Sequence, residues 1–429
     1  MLERLLRGLG GDIRAPAGIR KARGTIALCQ ALLSERGEVS GARLAAEVLA
    51  AYRSLDEEGL EAFFDLLVDA FSPDRKRLFR AADRFRQEPS EANLVELQIA
   101  VEPPRQELFR RCNLAPGGTA VLVDIRQRLL RTLKDHPERT GIDADLVHLF
   151  RSWFNRGFLV LQRIDWRTSA LTLERIINYE AVHQIQGWAD LRRRLEADRR
   201  CYAFFHPALP DEPLIFIEVA LTKGMSGRVQ PLLDAKAPVA DPLHTDCAIF
   251  YSITNCQEGL RGVSFGNFLI KQVVEDLGRE FPKLRTFATL SPLPGFQRWL
   301  RSEGRERMSP PLAALVDAGD LRASLAALAE SSSLKTELLR LATWYLLKAK
   351  SGAVPLDPVA RFHLANGASL ERLNWMGDTS DAGIQRSLGL MVNYVYRLDA
   401  VEKNHEAYAK DHRIIASRAF ERMLRRVRP

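Results

Sequence analysis

Apolar positions in the first third of the chain recur at helical spacing. Leu60, Phe63, Phe64, Leu67 and Phe71 fall on one helix face behind Ser54-Leu55-Asp56-Glu57, a capping-box pattern, and Ser72-Pro73 ends the run. The same periodicity predicts helices over 90–100, 104–112, 120–133 and 144–154, broken at Pro103-Pro104, Pro116-Gly117-Gly118 and His136-Pro137. After Phe158 the pattern shortens to strand-like runs at 158–161, 201–205, 214–220, 248–253 and 284–290, with a helix over 173–182. Hairpin-like spacing across 206–211 predicts a sheet that is largely antiparallel but mixed in order. A Pro- and Asp-bearing loop spans 228–245, residues 301–350 return to helix, and a basic amphipathic helix is expected over 408–427. The fold class is therefore α+β: an all-helical bundle domain at 1–150, then a mixed, largely antiparallel sheet flanked by helices at 151–429. The helical half holds no constellation of reactive side chains, which leaves it packing, oligomerisation or regulation.

The centre of the second half is 248–281, read as a strand, a glycine-rich turn and a helix carrying Phe268, Leu269, Val273 and Leu277 on one face. Gly262 and Gly266 let the backbone turn tightly. An anion over 264–267 would meet the unpaired N–H groups and positive dipole end of that helix, with Arg261 adding a full charge. The plain alternative is a solvated turn. Two sharper readings compete. As Arg-x-x-x-x-Gly, Arg261 to Gly266 is similar to the pyrophosphate loop of the acyl-CoA N-acetyltransferase superfamily, with Ser264 in place of its inner glycine. As G-x-S-x-G, the segment matches a hydrolase nucleophile elbow, but Ser264 lies ten residues beyond Ile253 where the elbow needs it at the strand end. The hydrolase is disfavoured.

Two further residues carry candidate chemistry. Ser291, in Leu290-Ser291-Pro292-Leu293-Pro294-Gly295, is held at a strand end by prolines and a glycine that oppose ladder and helix alike; otherwise it simply caps a turn. His363, between Phe362 and Leu364 and followed by the Asn366-Gly367 turn, is either a hydrogen-bonded core residue or a proton carrier near neutral pH.

A hydrophobic share of 46% and a charged share of 27% mark a globular chain, and 429 residues suggest two domains. No apolar run approaches the roughly 20 residues of a membrane span, so no membrane partner is expected. The N-terminus has Glu3, Asp12 and no apolar core, unlike a signal or transit peptide. The net charge of +8 is spread over mixed-sign helix faces without a nucleic-acid motif, so no nucleic-acid partner is expected either. Cys29, Cys112, Cys201, Cys247 and Cys256 form no C-x-x-C, which suits a reducing, cytoplasmic setting, and histidine spacing predicts no metal.

Taken together, EVALT at Glu218, AIFYSITNCQEGLRGVSFGNFLIK at Ala248, TLSPLPGFQRWL at Thr289, and FHLANGA with LNWMGD resemble the malonyl-CoA decarboxylase family. The likeness is close over 153–396 and looser in the helical half. It implies a helical domain joined to a catalytic domain of acetyltransferase-like fold, and conversion of malonyl-CoA to acetyl-CoA and carbon dioxide. It implies that Arg261, Gly262, Val263, Ser264, Phe265, Gly266 and Asn267 bind the coenzyme and that Ser291 and His363 act as a pair. Ser264 departs from relatives that carry an acidic residue there. No cofactor is expected, coenzyme A being part of the substrate, since a thioester can delocalise the carbanion unaided. Ser291 is expected to orient the malonyl group and relay protons, and His363 to protonate carbon. Relatives associate, so a homo-oligomer, dimer or tetramer, is expected. An amine acyltransferase and a non-catalytic acyl-CoA sensor are the alternatives.

Overall fold

The computed structural model describes residues 15–263, 265 and 269–425. Two compact units emerge: the described residues of Met1–Leu159, His206–Pro210 and Gln257–Phe265 form one, and those of Val160–Phe205, Asp211–Cys256 and Gly266–Pro429 the other.

The first unit is helical: Ala17–Ser34, Glu38–Arg53, Glu57–Phe71, Arg75–Gln87, Glu91–Val101, Pro104–Asn113, Gly118–Thr132 and Thr140–Trp153. The helix Glu57–Phe71 buries the five apolar residues its pattern singled out. Its cap differs from the expected box. The preceding helix runs on to Arg53 and takes Ser54 as its C-cap, so Asp56 becomes the N-cap and accepts the Gly59 N–H at 2.9 Å.

Two later segments pack here as well. His206 accepts the Ala208 N–H on Nδ1 and donates from Nε2 to the Trp153 carbonyl at 3.0 Å, its ring 4.8 Å from that of Phe154. Arg126, almost wholly buried, donates from Nη1 to the carbonyls of Gly259 (2.7 Å) and Arg261 (2.8 Å) while its Nε holds Asp143. Gly259 lies so near the Val123 carbonyl that a Cβ would stand 2.1 Å from it. Packing thus ties 206–210 to the end of the helix Thr140–Trp153, past the expected boundary at 150/151, and Gly259 and Arg261 to the helix Gly118–Thr132.

The second unit is built on a sheet. Its strands are β1 (Val160–Ile164), β2 (Arg199–Phe205), β3 (Ile215–Thr222), β4 (Cys247–Asn255), β5 (Thr286–Thr289), β6 (Ser291–Pro292), β7 (Ser369–Asn374) and β8 (Met391–Val395). The order is β1-β2-β3-β4-β5-β8-β6, with β7 also on β8. Every pairing is antiparallel except β4 with β5. This is the mixed, largely antiparallel sheet the hairpin spacing predicted, with Cys201 opposite Glu218.

Alternation along the strands divides the side chains between two covered faces. Cys201, Ala203 and Phe205 pack with Phe216 against Leu173 and Ile176 of the helix Ala170–Tyr179. From the other face of β2, Tyr202 donates to Asp276 at 3.0 Å and Arg200 pairs with Glu280 at 2.6 Å, both on the helix Leu269–Glu280.

Three expectations are corrected. Ser291-Pro292 does join a ladder, opposite Val392 and Met391; β6 ends the strand order, where proline's missing N–H leaves no partner wanting. The strands β7 and β8 were not predicted. The single helix expected over 408–427 is two, Val401–Asp411 and Arg418–Arg425: His412 turns left-handed (φ 49°), and the carbonyl of Ile415 and N–H of Ser417 bond Leu370 on β7 instead of continuing a helix; 426–427 lie outside the described residues. Among the described residues no helix is long and apolar enough to cross a membrane.

Candidate active site

The turn after β4 is described only in part. Ser264, Gly266 and Asn267 lie outside the described residues. Arg261 is exposed, Gly262 adopts φ +80°, which glycine reaches without strain, and Val263 and Phe265 are buried. These four belong to the helical unit, and Arg126 fixes the turn through the Arg261 carbonyl.

Ser291 and His363 belong to the sheet unit, and the fold brings them together. Ser291 is the first residue of β6, two positions beyond Thr289 at the end of β5. His363 lies in the last turn of the helix Pro358–Ala365. That helix starts where it does because Asp357 caps the Ala360 N–H at 2.8 Å and Pro358 suits the first turn. It stops at Asn366 because Gly367 swings to φ +82°, against the Val401 carbonyl where a Cβ would come within 2.1 Å. Cap and stop together aim His363 at the strand ends. Its Nε2 stands 3.0 Å from Ser291 Oγ, and its Nδ1 stands 2.8 Å from the Tyr396 hydroxyl.

The protons along this line are constrained. Ser291 Oγ donates to Thr289 Oγ1 at 2.9 Å, and Thr289 Oγ1 also accepts the Tyr394 N–H at 3.2 Å. With the serine hydrogen so engaged, Nε2 of a neutral His363 carries the ring hydrogen and donates to Ser291, while Nδ1 accepts from Tyr396. Asn393 holds the Thr289 carbonyl at 2.7 Å. The result is a chain of four side chains, Tyr396 just past β8, His363 on its helix, Ser291 on β6 and Thr289 on β5.

Its surroundings are apolar. The His363 ring is stacked 4.6 Å from Tyr394, meets Phe362 edge-on, and Phe250 lies against Tyr396. Ser291 is 6% exposed and His363 3%. Burial lowers the His363 pKa to about 3, so the imidazole is neutral, and burial pushes the Tyr396 hydroxyl well up, so it stays a donor. Beneath, burial raises Asp357 to about 6 against the Ala360 N–H and the Tyr345 hydroxyl, which donates to it at 3.2 Å.

A neutral imidazole joined to a hydroxyl in an apolar setting is equipped to position a polar group and to exchange one proton with it. Sequence reading found Ser291 and His363 but missed Thr289, Tyr394 and Tyr396. Thr289 could have been found from the i, i+2 spacing to Ser291 on one strand face, and the tyrosines from the alternation Met391-Val392-Asn393-Tyr394-Val395-Tyr396. Elsewhere, Asp65, His136 and Glu138 bring possible metal ligands within 4.8 Å of one another, but Arg139 already pairs with Asp65 at 2.7 Å and would repel a cation.

Comparison with known proteins accounts for nearly the whole length. The family described as malonyl-CoA decarboxylase C-terminal domain matches residues 157–428, and that described as malonyl-CoA decarboxylase N-terminal domain matches 71–154. A mitochondrial malonyl-CoA decarboxylase from Anser anser anser is 34% identical, over 89% of this chain and 83% of its own. Crystal structures of malonyl-CoA decarboxylases from Rhodopseudomonas palustris (TM-score 0.86, 51% identity, 94% of this chain and 99% of that one) and Agrobacterium vitis (TM-score 0.83, 46% identity, 94% and 99%) share the architecture. On both domain matches and on relatives aligned along most of its length, this chain belongs to the malonyl-CoA decarboxylase family of carboxy-lyases.

Proposed function

We propose that the chain converts malonyl-CoA to acetyl-CoA and carbon dioxide, with Ser291 orienting the malonyl group and His363 supplying the proton. The observation that carries this mechanism is the 3.0 Å contact between Ser291 Oγ and His363 Nε2, buried among aromatic rings. Loss of carbon dioxide breaks the bond from carbon to carboxylate and leaves its electron pair on carbon, where the thioester carbonyl spreads it as an enolate. One proton must then reach that carbon: malonyl-CoA plus a proton gives acetyl-CoA plus carbon dioxide. No metal or organic cofactor enters this scheme, because the thioester is its own electron sink.

Burial keeps His363 neutral. A malonyl carboxylate beside it supplies a counter-charge, favours the imidazolium, and so loads the proton with the substrate. Apolar neighbours disfavour the carboxylate and favour neutral carbon dioxide. Ser291 then hydrogen-bonds the reacting group and passes or steers the proton. The coenzyme is assigned to the turn of Arg261, Gly262, Val263, Ser264, Phe265, Gly266 and Asn267, whose backbone N–H groups suit a diphosphate. A cytoplasmic homo-oligomer, dimer or tetramer, is part of the proposal; five free, buried cysteines suit a reducing compartment.

Purified protein incubated with malonyl-CoA and a chelator, without ATP or biotin, is expected to form acetyl-CoA without free thiol by mass spectrometry. Free coenzyme A would indicate a hydrolase. Unchanged malonyl-CoA would sink the decarboxylase and leave a transferase or a sensor.

Tyr396 has a role that can be separated from the serine. Tyr396→Phe removes the hydroxyl on His363 Nδ1 and keeps the ring, so kcat is expected to fall roughly three- to tenfold, the worth of one hydrogen bond, with KM little changed. An unchanged kcat would remove Tyr396 from the proton chain.

A further inference from the structure

Within the sheet unit, the short helix Phe296–Arg301 follows the Ser291 turn and packs beside the helix Asp381–Ser387. Between them is a recess of about 600 Å³ lined by Gln297, Arg298, Arg301 and Arg386, with Pro294 and Gln385 at its sides, and no carboxylate among its lining residues. Arg301 spends part of its guanidinium on the Val316 carbonyl. Among the described residues, Arg298 and Arg386 are paired with no carboxylate, although carboxylates pair nearby Arg305 and Arg322.

One amide beside the recess is also unsatisfied. Gln297 is only 8% exposed, yet its Nε2 has no hydrogen-bond partner. A buried amide N–H left unpaired is costly unless something fills the position. An adjoining recess of about 490 Å³ shares Arg298 and brings both a cation, Arg361, and a carboxylate, Glu303, so the anion site is confined to the first recess.

We propose that this recess is a second anion-binding site that takes the phosphoryl group of an organic phosphate. Guanidinium groups present paired N–H donors that match phosphate oxygens, and no carboxylate lines this recess to compete for them. The volume exceeds that of one phosphate, so the phosphoryl group is one end of a larger molecule. Two sources share this chemistry: the nucleotide part of the substrate itself, and a separate phosphorylated metabolite. The Pro294 side of the recess lies three residues from Ser291, so an occupant rests against the turn that holds the serine.

Pyrophosphate is the probe, titrated calorimetrically into the full chain and into Arg298→Gln/Arg386→Gln, whose exposed side chains are expendable for folding. Binding at least about tenfold weaker in the variant is expected. Equal binding by wild type and variant, or none by either, overturns the site. The source is read from kinetics, an arm that rests on the decarboxylase reading. A KM raised for malonyl-CoA but not for malonyl-pantetheine identifies the substrate's own phosphates, and an unchanged KM identifies a separate molecule. If wild type turns over neither thioester, the decarboxylase reading fails while the pyrophosphate result stands.

Discussion

Replacing His363 with alanine is expected to lower kcat by about 10²- to 10⁴-fold, the range lost with a positioned general acid, while coenzyme A affinity stays within about threefold. The reason is where His363 sits. Both its ring nitrogens meet hydroxyls, Ser291 and Tyr396, and one face stacks on Tyr394, so the role proposed for it is to supply a proton and an orientation rather than to hold the coenzyme. A His363→Gln variant keeps some bulk and hydrogen bonding but carries no exchangeable acid, and should stay nearly as slow as alanine. Equal losses in turnover and coenzyme binding would mean that the histidine merely shapes the site. The same residue makes a pH prediction. Its folded pKa, about 3, lies below the ordinary 6.5, so between those values the unfolded chain binds a proton that the folded chain refuses. Its contribution to stability is therefore complete above pH 6.5 and is lost as pH falls toward 3. Urea unfolding measured across pH 4–6.5 should show a shallower acid dependence in His363→Ala than in wild type; identical slopes would place a titrating histidine there.

The second large effect is on stability. Glu218 on β3 is fully buried and meets Arg194 at 2.7 Å, and Arg194 also holds Asp190 at 3.1 Å and the His183 carbonyl at 2.9 Å. Burial pushes the Glu218 carboxyl up to about 8 even beside this arginine, so removing Arg194 leaves a buried carboxyl that must hold a charge without a partner or take up a proton, and strands the groups that met the guanidinium, at a cost of about 3–5 kcal/mol. Arg194→Met is expected to destabilise the protein by that amount in urea unfolding. Adding Glu218→Leu removes the stranded charge and should restore much of the loss. A single variant within about 1 kcal/mol of wild type would show that water reaches the pair or that Glu218 is already neutral.

The outer parts of this fold were legible because they follow local rules. Helix Glu57–Phe71 and strands β2 to β4 obey single periodicities, and the β2–β3 hairpin follows from its spacing. The candidate pair was legible as two unusual residues, Ser291 between a strand and two prolines and His363 before Asn366-Gly367, but as a pair only through the family resemblance, because a separation of 72 positions carries no local sign of contact. Tyr394 and Tyr396 were missed for a related reason: β8 is flanked on both sides by other strands and buried along its length, so its five residues, with Asn393 the one amide, show no solvent-facing polar side of the kind that marks a half-exposed strand, and Tyr396 lies just past its end. The Ser54 box failed because two helices compete for one short connection, and local pattern does not say which of them ends first.

Arg126 bears on how such a protein could have arisen. A ready-made helical domain spliced onto the front of a ready-made catalytic one would meet, at Gly259 and Arg261, carbonyls that need its guanidinium, and at Gly259 a residue with no room for a side chain beside Val123. Simple fusion of two modules would satisfy neither requirement. The helical unit is thus discontinuous in sequence, and a chimera that exchanges it between distant relatives must carry 206–210 and 257–265 with it.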